Sequence, residues 1–287
     1  MINQGLLQRK VDGFSLLELM ISLVLGLVIS GAIIQVLVSS SVTNKLNQAV
    51  AQVQESGRFI SRRLTMELYE VGRYDTLSAN IDDSVDILAE SAYVETHPVA
   101  VVGDFATNAG LGSKNGADGA SDDLVVAMLS TQDCTGNDHN YVGDEFHVVN
   151  HYFVQNNTLK CAGYDGRVLR GLKVQAVAPR TVVLLDNVED FQVQFGVAEP
   201  VDTSNGQAVI YVTADKVDDH RALNEHVVSL RWALLLKSYQ NEVKQTNAQT
   251  FALLNESAKT KDTSHYYQVF SKTLALRNMK NFVRTSR

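Results

Sequence analysis

Few residues of this chain are spaced for chemistry, and each small group points to a different kind. Cys134 and Cys161 are its two cysteines. An even pair in a chain exported across a membrane favours a disulfide; two separate buried thiols and shared metal ligation are the alternatives. His147 and His151 lie in the strand-like run FHVVNHYFV. A strand holds such a pair on one face but roughly 13 Å apart, too far to share a metal, so surface or cross-strand packing is expected. The segment NGADGASDD has acids and glycines without the ligand alternation of a calcium loop. There is no G-x-S-x-G, H-E-x-x-H or phosphate-loop pattern. No catalytic residue, metal ligand or cofactor is therefore expected, and the chain does not read as an enzyme. What remains is Glu18, a lone carboxylate near the start of an apolar run, just after Gly13-Phe14 in KVDGFSLLELMISLVLGLVISG.

The element that positions Glu18 reads as a membrane helix. From Phe14 to Val38 no other side chain ionises, and a helix of that length, roughly 38 Å, crosses a hydrocarbon core with tilt. Arg9 and Lys10 precede it and the next basic residue is Lys45. That asymmetry puts the N-terminus in the cytoplasm and the bulk of the chain on the far side. The apolar core is too long for a cleaved secretory signal. Beyond it, Leu46, Val50, Val53, Gly57, Ile60, Leu64 and Leu68 recur at spacings of three and four, the stripe of an amphipathic helix. One near-continuous helix is predicted from about Phe14 to Tyr69. Gly26, Ser30 and Gly31 either weaken its membrane half or offer small-residue contacts to a neighbouring helix.

After Gly72 the pattern changes to strands and loops. LVVAML (124–129), Phe146–Val154, VEDFQVQFGV (188–197), HVVSLRWALLLKS (226–238) and YYQVFSKTLAL (266–276) read as half-buried antiparallel strands. Phe191, Val193 and Phe195 face one way in the third of these, and Asp190, Gln192 and Gln194 the other. The stretches 108–123, 198–207 and 213–220 read as surface loops. The formal net charge is −7, which disfavours non-specific nucleic-acid binding. From Lys272 onward, however, Arg277, Lys280, Arg284 and Arg287 add to it without an acid. That reads as a solvated tail or a contact to an anionic partner such as DNA.

The N-terminal string, with its basic leader, Gly-Phe junction, glutamate and apolar helix, resembles the class III signal of type IV pilins and type II secretion pseudopilins. The resemblance implies cleavage by a prepilin peptidase between Gly13 and Phe14 and methylation of the new N-terminus at Phe14. Glu18 then lies one helical turn from the new ammonium. It could neutralise its own amine, or meet a neighbour's in a filament and fix the axial register of packed helices. The stretches around Asp133-Cys134, 150–163, 182–197, 227–238 and 269–279 resemble the PilW family of minor pilins, similar to J-type pseudopilins. This implies a pilin-like α+β fold, a long helical spine on an antiparallel β-sheet head, and four segments: leader 1–13, membrane and assembly helix 14–38, amphipathic continuation 39–72, exported head 73–287. Major pilins commonly carry a proline in the membrane helix; here none occurs between Phe14 and Pro98, which favours a low-copy subunit.

The function implied is a minor pilin that primes or caps a type IV pilus, serving motility, adhesion or DNA uptake. Its partners would be the prepilin peptidase, other minor pilins, the major pilin, a tip adhesin, the inner-membrane assembly platform and the lipid bilayer. It would sit single-pass in the inner membrane with its head in the periplasm, and at the pilus, towards the tip, after assembly. The alternative is a J-like pseudopilin at the tip of a type II secretion pseudopilus; direct DNA binding through the basic tail is a third reading.

Overall fold

The computed structural model describes residues 13–117, 119–200, 205–239 and 247–279. The leader residues before Gly13, the tail from Lys280 and part of the expected loop 198–207 lie outside them. The chain divides into two compact units, with the boundary between Gln48 and Ala49. Helix α1, Leu16–Leu68, contributes to both. In the first unit its apolar side chains are exposed, Leu16 at 79% and Val38 at 59% among them, as expected of a surface made for lipid or neighbouring helices.

In the second unit the amphipathic half of α1 is the core's spine. Val53, Gly57, Ile60, Leu64 and Leu68 are buried as the stripe predicts, and Ala49 and Thr65 join them; Leu46 stays exposed. Gly57 is required by contact, since a Cβ there would lie 2.1 Å from the ring of Phe270. Two four-stranded antiparallel sheets make up most of the head. One runs in the order β1 (Leu124–Ser130), β2 (Phe146–Gln155), β3 (Thr158–Asp165), β4 (Arg180–Asp186). The other runs β10 (Tyr267–Ala275), β7 (Val227–Lys237), β5 (Val188–Ala198), β6 (Ala208–Val212). Their inner faces, including Val126, Phe146, Phe191, Phe195, Leu230, Trp232 and Leu234, form one core with α1. Asn156 and Asn157, at φ 54° and 57°, close the β2–β3 hairpin with a two-residue turn, a conformation asparagine tolerates better than most residues.

Several expectations need correction. The two central strands of the second sheet, β5 and β7, are buried on both faces. Asp190 and Gln192 are buried beneath the β8 (Thr250–Phe251) and β9 (Lys259–Thr260) ribbon, where Lys259 pairs with Asp190. A helix, α2 (Ile87–Thr96), follows Gly72; Asp86 caps it by accepting from Leu88 and Ala89 N–H. The stretch 213–220, expected to be a loop, holds a 3-10 turn and α4 (Val217–Arg221). Asp122, in the expected surface loop, is buried and accepts from Gly116 and Val193 N–H at 2.8 and 2.7 Å. Lys272 does not begin a solvated tail: it lies in β10 and donates to Thr65 Oγ1 at 2.9 Å, while Arg277 stacks over Tyr69.

A charged cluster is buried in the head beside α3 (Gly166–Leu169). The Arg167 guanidinium, fully buried, donates to both oxygens of Glu90 at 2.8–3.0 Å, to the Asp82 carbonyl at 2.8 Å and to the Asp82 carboxylate. Tyr74 OH donates to Glu90 at 2.8 Å. His147 is not at the surface but wholly buried against this cluster, 3.9 Å from Glu90. Burial, with Arg170 and Arg167 nearby, pushes its pKa from 6.5 down to about 3. A histidine whose folded pKa is depressed contributes stability that is fully present above its unfolded pKa and is lost as pH falls towards the folded one. Stability should therefore drop between pH 6.5 and 3, and His147→Gln should flatten that slope. Thermal melts across this range check it; equal slopes for both proteins would contradict it.

Candidate functional site

The candidate assembly segment is the start of α1. Gly13, Phe14 and Ser15 precede the first helical residue, Leu16. The Ser15 N–H donates to Glu18 Oε2 at 3.4 Å, so the carboxylate faces the helix N-terminus, where a negative charge is favoured. Ser22 Oγ donates to the Glu18 carbonyl at 2.8 Å, which satisfies its hydroxyl within the helix. Space around Gly13 is open, with no atom within 4 Å of where a Cβ would stand. The sequence-expected residues Gly13, Phe14 and Glu18 thus occupy one exposed turn, with the carboxylate directed at the backbone end where cleavage would create an ammonium.

Cys134 and Cys161 are joined in a disulfide, with 6.4 Å between their Cα atoms. Cys161 lies on β3 and is fully buried. Cys134 lies in the loop between β1 and β2, where its N–H donates to Asn150 Oδ1 at 2.9 Å. Asp133 organises the same loop: its carboxylate accepts from Thr135 N–H (2.7 Å), Asn137 N–H (3.1 Å) and His139 Nε2 (2.9 Å). Burial pushes the Asp133 carboxyl up, but the donors from His139, Thr135 and Asn137 together hold it below its usual value. Gly163 opposite must be glycine, because a Cβ would meet the Asp133 carboxylate at 2.0 Å. The loop is tied to α1 as well. Arg63 reaches the Cys134 carbonyl at 3.4 Å and pairs with Glu67 at 2.9 Å, and Tyr152 OH donates to Glu67 at 2.6 Å. The disulfide therefore stiffens the ground on which the amphipathic half of α1 rests. Cys134→Ser should cost roughly 3–4 kcal/mol by the chain-entropy argument for a loop of this separation. Calorimetry on oxidised wild type and variant measures it; unchanged melting would contradict it.

Sequence reasoning did not anticipate the Arg167–Glu90 cluster. Its signals were local: Asp86 ahead of ILAE as a helix cap, and Asp165 ahead of GRVL, which accepts from Arg167 and Val168 N–H. Nothing in the spacing joins two residues 77 positions apart. Among the described residues no group of three or more His, Cys, Asp or Glu is arranged to hold a metal ion.

Two family profiles match the chain. The prokaryotic N-terminal methylation motif covers residues 8–34, and the family described as Type IV Pilus-assembly protein W covers 146–278, from β2 through β10. No curated protein matches in sequence. Among solved structures, a type IV-like pilin from Thermus thermophilus, TTHA1219, aligns at 13% identity and a TM-score of 0.42, over 79% of this chain and 97% of that one. The methylation motif at the start of α1 and the PilW profile over the strands of the head together support a type IV pilin-like minor pilin of the PilW family.

Proposed function

We propose that this chain is a low-copy subunit that primes or caps a type IV pilus. The prepilin peptidase cuts it between Gly13 and Phe14 and the new N-terminus is methylated. Residues 14–38 hold it in the inner membrane, with the head, from about residue 73, on the periplasmic side. It then enters the fibre with other minor pilins, the major pilin and a tip adhesin, extracted through the assembly platform. The observation that carries this reading is the pairing of the two profiles in one chain, a methylation motif at 8–34 and the pilus-assembly family at 146–278. The carboxylate of Glu18, held over the first turn, supports a role in register: an apolar helix slides easily, whereas a charge pair between neighbours fixes one stagger. Deleting the gene should sharply reduce surface pili, restored by the wild-type copy, and leave type II secretion intact. Normal piliation with defective secretion would contradict the proposal and support the pseudopilus reading.

A further inference from the structure

Between α3 and the segment that leads into β4, the head holds a cavity of about 230 Å³. Its floor is buried and includes His139, Asp165 and Leu169. Its rim is open, with Asn108, Gln175 and Ala176 exposed, and half-buried Tyr164 forms part of the wall. The loop that brings His139 to this floor has a costly backbone. His139, Asn140 and Val142 take φ of 50°, 70° and 50°, a left-handed conformation that a β-branched valine rarely adopts. Such backbone persists where its surroundings over-determine it, and it gathers at ligand sites. Here the buried Asp133 carboxylate accepts from His139 Nε2 at 2.9 Å. A carboxylate only accepts, so Nε2 carries the ring proton and Nδ1 of the neutral ring is an acceptor. Among the described residues the ring's hydrogen-bond contacts are all at Nε2, which leaves Nδ1 for a ligand.

The lining selects the class of that ligand. Among the described residues it contains no lysine or arginine, and the Asp165 carboxylate repels anions. Nor does Asp165 call for a cation: Oδ1 already accepts from Arg167 N–H at 2.8 Å and Oδ2 from Tyr141 OH at 2.9 Å. What remains is a set of neutral donors and acceptors, His139 Nδ1 with the Asn108 and Gln175 amides, beside the aromatic Tyr164. Hydroxyl groups suit such a mixture, because each donates and accepts. The volume lies below the roughly 300–1,000 Å³ of drug-sized ligand sites, which limits the occupant to one ring. We propose that the cavity binds a neutral pyranose, with His139 Nδ1 and Asp165 accepting from its hydroxyls, the two amides bonding it from the rim and Tyr164 covering its apolar edge. The proposal rests on nothing in the pilus reading.

The test uses the full chain in a detergent with no sugar headgroup. Neutral hexoses and N-acetylhexosamines are titrated in, each as free sugar and as methyl glycoside, and binding is read by saturation-transfer NMR. At least one should bind at millimolar concentration or below. Ala176→Trp, which sets an indole across the exposed rim, should abolish binding and leave the melting temperature unchanged. His139→Asn, which tolerates the left-handed backbone, should weaken binding roughly tenfold. Binding of a methyl glycoside supports the proposal with the end of a glycan chain as the source; binding of the free sugar alone supports it with a free monosaccharide. No binding across the panel, binding that survives A176W, an H139N affinity equal to wild type, or occupation of the cavity by inorganic phosphate or lysine in place of sugars would overturn it.

Discussion

Arg167→Met should destabilise the head by roughly 3–5 kcal/mol, the usual cost of removing one partner from a buried ion pair. The reason lies with the groups left behind. Glu90 is fully buried and would keep only Tyr74 as a close donor, with Arg170 at 3.7 Å. The Asp82 carbonyl and carboxylate would also lose the guanidinium that ties their loop to α3. For a domain of this size the melting temperature should fall by about 10 °C. Denaturant unfolding of the full chain in detergent measures the loss. Arg167→Met combined with Glu90→Gln should recover part of it, because the unpaired charge is then gone. If the single variant unfolds within 1 kcal/mol of wild type, on the order of an exposed ion pair, the cluster does not hold the head together.

Glu18→Ala is the variant with the largest expected effect on assembly. Removing a carboxylate from the apolar helix should leave membrane insertion intact or slightly improved, since a charge in a bilayer costs up to ~3 kcal/mol. Incorporation into the pilus should nevertheless fall, by roughly tenfold or more, as expected when one member of a buried charge pair is lost. Glu18→Gln should behave almost as badly, because it keeps the size and the hydrogen bond to Ser15 but not the charge that answers an ammonium. Immunoblots of sheared pili against membrane fractions separate the two steps. Normal incorporation of either variant would remove Glu18 from the assembly mechanism.

What the sequence reveals about this fold follows the range of the forces involved. The helix was legible because its signals are local: an unbroken apolar run, then a stripe at three and four, with no proline. Observed bounds of Leu16–Leu68 agree with the predicted extent. The strands around 124, 146, 188, 227 and 267 were legible from β-forming and apolar runs. Their burial was not: Asp190 and Gln192 look like a solvent face until Lys259, more than sixty positions away, closes over them. The same holds for His147, whose setting is made by Glu90, Arg167 and Arg170 on other elements. α2 was missed because its ten residues show little amphipathic contrast and are set by the Asp86 cap. Gly13, Phe14 and Glu18 stand within six residues at the start of α1, so the expectation placed on them rests on a local string, and their part in cleavage and assembly stays a proposal. The disulfide was expected from the cysteine pair and export; its role in bracing Asp133, Arg63 and α1 comes from contacts between residues as far as 71 positions apart, which no local pattern carries.

The measurement that tests the account most directly is intact and peptide mass spectrometry of the chain recovered from sheared pili. The N-terminal peptide should begin at Phe14 with one added methyl on its amine, and the Cys134–Cys161 bond should be intact. A chain from that fraction that begins at Met1, or beyond Gly31, would contradict it.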